Sequence, residues 1–355
     1  MSQNWMRHFE LQLLDENGKG IDLGDFKVTF TIDWFNISSA TRTGTFKIYN
    51  LSADTVNRIT GSEFATIRVI AGYDGIAADV DASDVGRVRE VDASQVGQSD
   101  GRNWGLLFTG DIRYTITGKD NPVDSFVLIQ AADTDLAFTS SITVQTLAAG
   151  YTVADMNRAL MKDFEAKGAT EGVTPPMPAT VFPRGRVLFG MTRDLMDNVA
   201  RQCGATWQFV DGQRQMVAKN EYVHEAIVLN SATGLIGMPQ QTIGSGVNVR
   251  ALINPNIRVN GLIELDQASV YRTALANNDI AMAGGRITDQ DNNGNISITG
   301  TTSQPASIAT DGVYIVRGIM YTGDTRGQAW YMDMMCEARG AADLLSSSAI
   351  NRTGP

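Results

Sequence analysis

Phe26, Val28, Phe30, Ile32 and Trp34 take every second position of their segment, with Lys27, Thr29, Thr31 and Asp33 between them. A period of two is that of a β-strand with one face in a core and the other toward water. Phe9, Leu11 and Leu13 repeat the alternation and run into Asp15-Glu-Asn-Gly-Lys-Gly20, whose residue types favour a turn. Thr45–Leu51 and Thr66–Ala71 carry the pattern on. Between them, Ser52 can cap a short helix reaching Ile59, with Asp54 in its first turn. Residues 1–138 thus read as a first β-domain. Over 74–103 the pattern is interrupted by seven acidic residues and three arginines among Gly, Ser and Ala. This acidic insertion lies between two strands, and Val85, Val88 and Val91 leave room in it for a small hairpin.

From 139 to 226 the period changes. Met156, Leu160 and Phe164 recur at four-residue spacing behind Thr152, a helix cap, and Gly168 can end that helix. Leu195, Val199 and Cys203 form a second helical stripe, with Thr192 as cap and Gly204 as stop. The segment 170–184 holds four of the chain's nine prolines and reads as an ordered connector. Thr206–Ala218 then alternates apolar residues about Asp211-Gly212, a hairpin signal. Helix, helix and hairpin make a small α+β domain. Residues 227–342 return to strands at Val247–Ile253, Gly261–Leu265, Val313–Tyr321 and Trp330–Cys336, with an Asn-, Gly-, Ser- and Thr-rich excursion over 275–311. This is a second β-domain, and 343–355 is a polar C-terminal tail. The fold class is mainly β with an α+β insert.

The two β-domains share an echo. Leu107-Phe-Thr-Gly-Asp-Ile-Arg113 is matched by Met320-Tyr-Thr-Gly-Asp-Thr-Arg326, each at the end of an apolar strand and each followed by another strand. Thr109, Gly110 and Asp111 are expected to form a structural turn equivalent to that of Thr322, Gly323 and Asp324.

Composition adds bounds. There is no run of about 18 apolar residues, so no membrane span is expected. The N-terminus lacks the charged-then-apolar plan of a signal peptide. Cys203 and Cys336 are far apart among apolar residues, which disfavours a disulfide framework and suggests folding in a reducing compartment. The formal net charge of -10 disfavours phosphate-directed nucleic-acid binding but suits a surface that nucleic acid passes without sticking. The acidic insertion has three readings: a solvated loop, a dock for a basic partner, or the lining of a passage for something anionic.

Candidate chemistry is sparse. His8 and His224 are the only histidines, each at the edge of an expected domain with no carboxylate or cysteine pattern around it, and a partly exposed surface histidine is expected in place of a general base or zinc ligand. No zinc, nucleophile-elbow or phosphate-loop motif is present. Asp289, Asp291 and Asn293 match the first half of a calcium loop, but Gly300 stands where a bidentate Glu belongs. A polar hairpin tip about Asn293-Gly294 explains the same residues without metal. Asp111 and Asp324 are a conceivable carboxylate pair for glycoside hydrolysis, against the simpler role of capping turns. The methionines Met320, Met332, Met334 and Met335 suit a core or an adaptable contact surface. No catalytic residue and no cofactor is expected.

Several segments together resemble a family. Phe46-Lys-Ile-Tyr-Asn-Leu-Ser52, Ile67-Arg-Val-Ile-Ala-Gly-Tyr73 and Leu107-Phe-Thr-Gly-Asp-Ile112 follow the order found near the start of phage tail baseplate hub proteins. Val187-Leu-Phe-Gly-Met-Thr-Arg-Asp-Leu-Met196 with Gly204-Ala-Thr-Trp-Gln-Phe209 is similar to that family's small inserted domain. Thr233-Gly-Leu-Ile-Gly-Met-Pro239, Leu252-Ile-Asn-Pro255 and Tyr321-Thr-Gly-Asp324 resemble its closing β-domain. The resemblance runs from about 45 to 340, and the insertion at 74–103 has no counterpart in it.

It implies two barrel-like β-domains of similar plan flanking the helix–helix–hairpin domain, a plan related to the hub part of type VI secretion spike proteins. It implies a structural, non-enzymatic homotrimer in the virion tail tip or baseplate, assembled in the host cytoplasm. Its implied partners are the tail tube protein and the central spike protein, with tape measure and baseplate wedge proteins as further contacts. The resemblance further implies a part in the DNA exit channel, with DNA passing without specific binding. The alternatives are a receptor- or carbohydrate-binding tail protein, a tail-associated cell-wall hydrolase and, weakest, a tail tube subunit.

Overall fold

The computed structural model describes residues 6–74, 89–92, 103–219, 221–231, 233–241, 246–265, 287–290, 296–299 and 312–338. Most of the acidic insertion and the tail 343–355 lie outside the described residues, as do Asp291 and Asn293.

The molecule is mainly β with few helices, as its alternation predicts. In Val28–Phe35, Val28, Phe30, Ile32 and Trp34 are buried while the residues between them face outward. Among the described residues, 14 strands join one sheet. Its path begins with Leu235–Gln241, Gly246–Leu252, Trp330–Ala338 and Val313–Asp324 from the C-terminal half. It continues through Val28–Phe35, Thr43–Tyr49, Ser125–Ala132, Asn103–Lys119, Thr66–Tyr73, Arg7–Leu14, Lys19–Asp22 and Arg89–Asp92. His224–Leu229 and Gly261–Leu265 branch from it as a parallel pair, the latter against Val313–Asp324.

The two β-halves meet where Val28–Phe35 pairs antiparallel with Val313–Asp324, Ile32 opposite Tyr321 and Phe30 opposite Gly323. They also share a core, in which Phe30, Ile32, Phe46 and Phe108 join Val249, Ile319, Tyr321, Trp330 and Met332. Each such side chain, taken fully from water, contributes about 1.5–3 kcal/mol. Of the clustered methionines, Met332 and Met334 are core, whereas Met320 and Met335 lie on the outer face.

The middle unit has its own core of Met156, Leu160, Phe164, Met196, Val199, Trp207, Phe209 and Met216. Its helices are Val153–Glu165 and Thr192–Gln202, preceded by the short Asp135–Ser140. Thr152 caps the first through a capping box with Asp155. Ser52 caps the separate helix Ala53–Thr60 by accepting from the Thr55 amide. Thr192 departs from expectation: Met191 holds the cap position and Thr192 is the first helical residue. The chain enters that helix directly from the strand Arg186–Met191, so the Thr192 amide goes to the Ser141 carbonyl and its hydroxyl pairs with Thr143 at 2.9 Å. The hairpin Ala205–Val210 and Gln213–Ala218 turns at Asp211-Gly212, both at positive φ (53° and 80°). Ala40–Thr41 of the first half adds to this hairpin as a parallel strand beside Gln208 and Phe209.

Candidate functional site

The densest polar constellation sits where the three parts of the chain converge. Arg42, just before the strand Thr43–Tyr49, is fully charged yet only 1% exposed at its side chain. Its guanidinium donates to Asp133 Oδ2 through Nε at 2.9 Å and Nη2 at 2.5 Å, to Asp211 Oδ1 at 2.5 Å, and to the Leu107 carbonyl at 3.2 Å. The rings of Trp34 and Phe108 lie 4.8 and 5.7 Å from it. Asp133 also accepts from the Asp211 amide at 2.7 Å and the Gly212 amide at 3.1 Å. Arg258, from the C-terminal half, donates to Asp211 Oδ2 at 2.9 Å.

One network therefore ties Arg42 and Asp133 of the first β-half, the hairpin turn of the middle unit, and Arg258 of the second β-half. Burial pushes the Asp211 carboxyl up, but the adjacent Arg42 and Arg258 outweigh it and hold the carboxyl below the usual range. Burial opposes charge on Arg42 as well, and the two carboxylates reverse that and raise it. Trp34 Nε1 donates to Gln208 Oε1 at 3.1 Å beside the network, and Asn36 bridges Thr206 and Asn260 at 2.7 Å each. Every charge here is met by an opposite charge or a backbone group. The arrangement fixes the relative position of the parts and presents no activated nucleophile or base.

Asp211 is visible in the sequence as a turn residue. Arg42, Asp133 and Arg258 are not singled out there, because a charge in an otherwise ordinary segment carries no sign that it will be buried. The faint signal is Arg42's place between alternating strands.

The Thr-Gly-Asp segments occupy different settings. Thr109, Gly110 and Asp111 lie inside the 17-residue strand Asn103–Lys119, where pairing passes from Thr66–Tyr73 to Ser125–Ala132. Asp111 is opposite Thr66 and Ala132 and accepts from the Leu136 amide at the start of helix Asp135–Ser140 at 3.0 Å. Burial raises its carboxyl, with the Leu136 amide acting against that. Thr322, Gly323 and Asp324 instead end the strand Val313–Asp324, and Asp324 Oδ1 accepts from the Arg326 and Gly327 amides at 2.9 and 2.8 Å, closing a turn. Three strands of the sheet stand between the two segments, so Asp111 and Asp324 are not brought together as a carboxylate pair. Both glycines do seat a phenylalanine ring, that of Phe108 over Gly110 and that of Phe30 over Gly323.

His8 stacks on Trp104, ring centres 4.2 Å apart, between Asp74 at Nδ1 and Glu10 at Nε2, both 2.9 Å away. Asp74 and Trp104 stand at the two roots of the acidic insertion. Burial alone lowers the imidazole's affinity for a proton, but the two carboxylates outweigh it and raise the pKa above its ordinary value. The backbone of His224 begins the strand His224–Leu229. Ile287–Gln290 and Ile296–Thr299 form an antiparallel hairpin with Asp289 opposite Ser297. Among the described residues no group of three or more His, Cys, Asp or Glu is placed to hold a metal ion, and no helix is long and apolar enough to cross a membrane.

No protein-family model matches the chain, and no curated protein matches it. Solved structures do. The 43 kDa tail protein of prophage MuSo2 from Shewanella oneidensis aligns over 94% of this chain and 98% of its own, with 7% identity and a TM-score of 0.50. A tail protein from Neisseria meningitidis MC58 aligns over 95% of this chain and 98% of its own, with 9% identity and a TM-score of 0.52. A type VI secretion system component from E. coli, c3393, covers 92% of this chain with 76% of its own, at 8% identity and a TM-score of 0.46. Across nearly its whole length, the chain has the fold of the tail proteins from prophage MuSo2 and from Neisseria meningitidis.

Proposed function

We propose that this protein is a structural hub of a bacteriophage tail tip or baseplate, a homotrimeric ring that adapts the sixfold tail tube to the threefold central spike. One observation carries the reading: a fold shared over nearly the whole chain with two tail proteins, one of them from a prophage, in a chain whose motif order resembles baseplate hubs. The symmetry argument supports it. Three chains, each with β-halves at 1–138 and 227–342, present six β-units in a ring, so one subunit type can meet a sixfold partner on one side and a threefold partner on the other. The rigid joint at Arg42, Asp133, Asp211 and Arg258 suits a part that transmits load between partners. The net charge of -10 suits a channel that DNA leaves without adhering. The role is structural and sited in the virion tail, with assembly in the host cytoplasm. In this reading the tail tube and spike proteins are the principal partners, with tape measure and wedge proteins as further candidates.

Light scattering tests the ring. A particle of three times 38.4 kDa is expected, and micrographs of the assembled tail tip should show threefold density that looks sixfold at its top. A chain that stays monomeric at high concentration and is missing from tail preparations would overturn the reading.

A further inference from the structure

Among the described residues, two largely apolar surfaces are uncovered, and they differ in kind. One is a ribbon. Ile142–Leu147 pairs antiparallel with Arg186–Met191, Val144 opposite Phe189 and Thr146 opposite Val187. Its inner face rests on the middle unit through the buried Thr143 and Leu188. On its outer face Ile142, Val144, Val187 and Phe189 are 59, 68, 68 and 74% exposed. The only charges at its end, Arg184 and Arg186, have no ion-pair partner among the described residues.

The other is a groove of 630 Å³ on the outer face of the C-terminal strands, walled by Phe35, Ile236, Met238, Met320 and Met335. Met238, Met335 and Met320 are 60, 49 and 38% exposed there. Arg250 and Asp333 cross its floor as a closed ion pair at 2.6 Å. Asp33 sits beside it, opposite Met320 in the sheet, with no hydrogen-bond or salt-bridge partner among the described residues. Burial against the sheet raises this carboxyl, which a cation nearby would relieve.

A closed ring is built from heterologous contacts, so each chain must carry two different, complementary patches. Two identical patches meeting face to face would give a dimer and stop. Copies with a net charge of -10 repel, and can touch only where charge is absent or opposite. The ribbon is apolar with arginines at its rim, and the groove has apolar walls, a mutually neutralised ion pair on its floor and, beside it, a carboxylate with no partner among the described residues. A large aromatic ring is a typical anchor, and methionines adapt their shape around one. We propose that, in the trimeric ring, the ribbon of one copy seats in the methionine groove of the next, with Phe189 among Met238, Met320 and Met335 and with Arg184 and Arg186 facing Asp33. This rests on the ring reading above.

The test uses the full chain with Phe189→Ser and Met335→Arg, both at exposed positions, their folding checked by circular dichroism. Each variant alone is expected at 38.4 kDa by light scattering. Mixed one to one they should give twice that mass, because one copy keeps its groove and the other its ribbon, and an open pair cannot close. A charge swap gives a second route: Arg184→Glu with Arg186→Glu should weaken the trimer at least tenfold, and Asp33→Arg added to it should restore assembly. If wild type is trimeric but either single variant keeps that mass, or the mixture stays monomeric, the pairing of ribbon and groove is overturned while the ring stands. If wild type itself stays at 38.4 kDa at every concentration, the ring reading falls and the pairing with it.

Discussion

Arg42 is buried between two carboxylates that come from different parts of the chain. A buried ion pair adds little net stability, because desolvation offsets attraction, but removing one partner leaves a charge stranded. Asp133→Ala also orphans the Asp211 and Gly212 amides. It is expected to cost about 3–5 kcal/mol, read as a lower urea midpoint. Arg42→Met in the same chain should recover part of that loss, and simple additivity would mean the network does not act as a unit. His8 supplies a pH dependence. Its folded pKa is raised, so its contribution is complete below the ordinary 6.5 and is lost as pH rises through the folded pKa. His8→Gln should therefore lower stability at pH 6 by about 1.5–3 kcal/mol, the scale of hydrogen bonds to charged groups, and change little at pH 9. Equal losses at both pH values would exclude a protonated bridge. The sequence marks His8 only as an edge residue, because Asp74 and Trp104 reach it by strand pairing and not by spacing.

Individual elements are far more legible. The alternation around Phe30 and Trp34, the Ser52 and Thr152 caps and the Asp211-Gly212 hairpin all form from local signals that burial then reinforces. The Thr-Gly-Asp echo shows the limit of such signals, since the same tripeptide ends one strand and lies mid-strand in another. What the tripeptide does is set by the next element: a turn after Asp324, and a handover between neighbouring strands at Asp111. Gly110 belongs to that handover. A Cβ there would lie 2.7 Å from both the carbonyl carbon and oxygen of Ala132, and equally close to the Phe108 ring. The ring can swing but the paired backbone cannot, so Gly110→Ala is expected to destabilise by about 1–3 kcal/mol, as overpacking does. Thermal melting checks it, and an unchanged midpoint would show that the handover has slack.

At the scale of the molecule, the decisive contact is the one furthest from any local pattern. Val28–Phe35 and Val313–Asp324 each announce a buried face, yet nothing in either names the other as its partner across most of the chain. Their pairing makes the two β-halves one sheet over one core, while the middle unit keeps a second core and is held by the Arg42 network, by Gln208 on Trp34 and by the Ala40–Thr41 bridge. Shared burial couples unfolding: the first half cannot open without exposing Ile319, Tyr321 and Trp330 of the second. Amide exchange under rising urea should then show Thr43–Tyr49 and Gly246–Leu252, strands from opposite halves, opening with one common free energy and one denaturant slope. Val153–Glu165, in the other core, is free to open earlier. If the two strands opened with different slopes, the halves would be independent domains that merely touch, and the proposed ring would be one of six semi-autonomous units in place of three rigid bodies. A common slope would make each chain a single wedge, the form in which three copies of the proposed ring would carry force without hinging between their own halves.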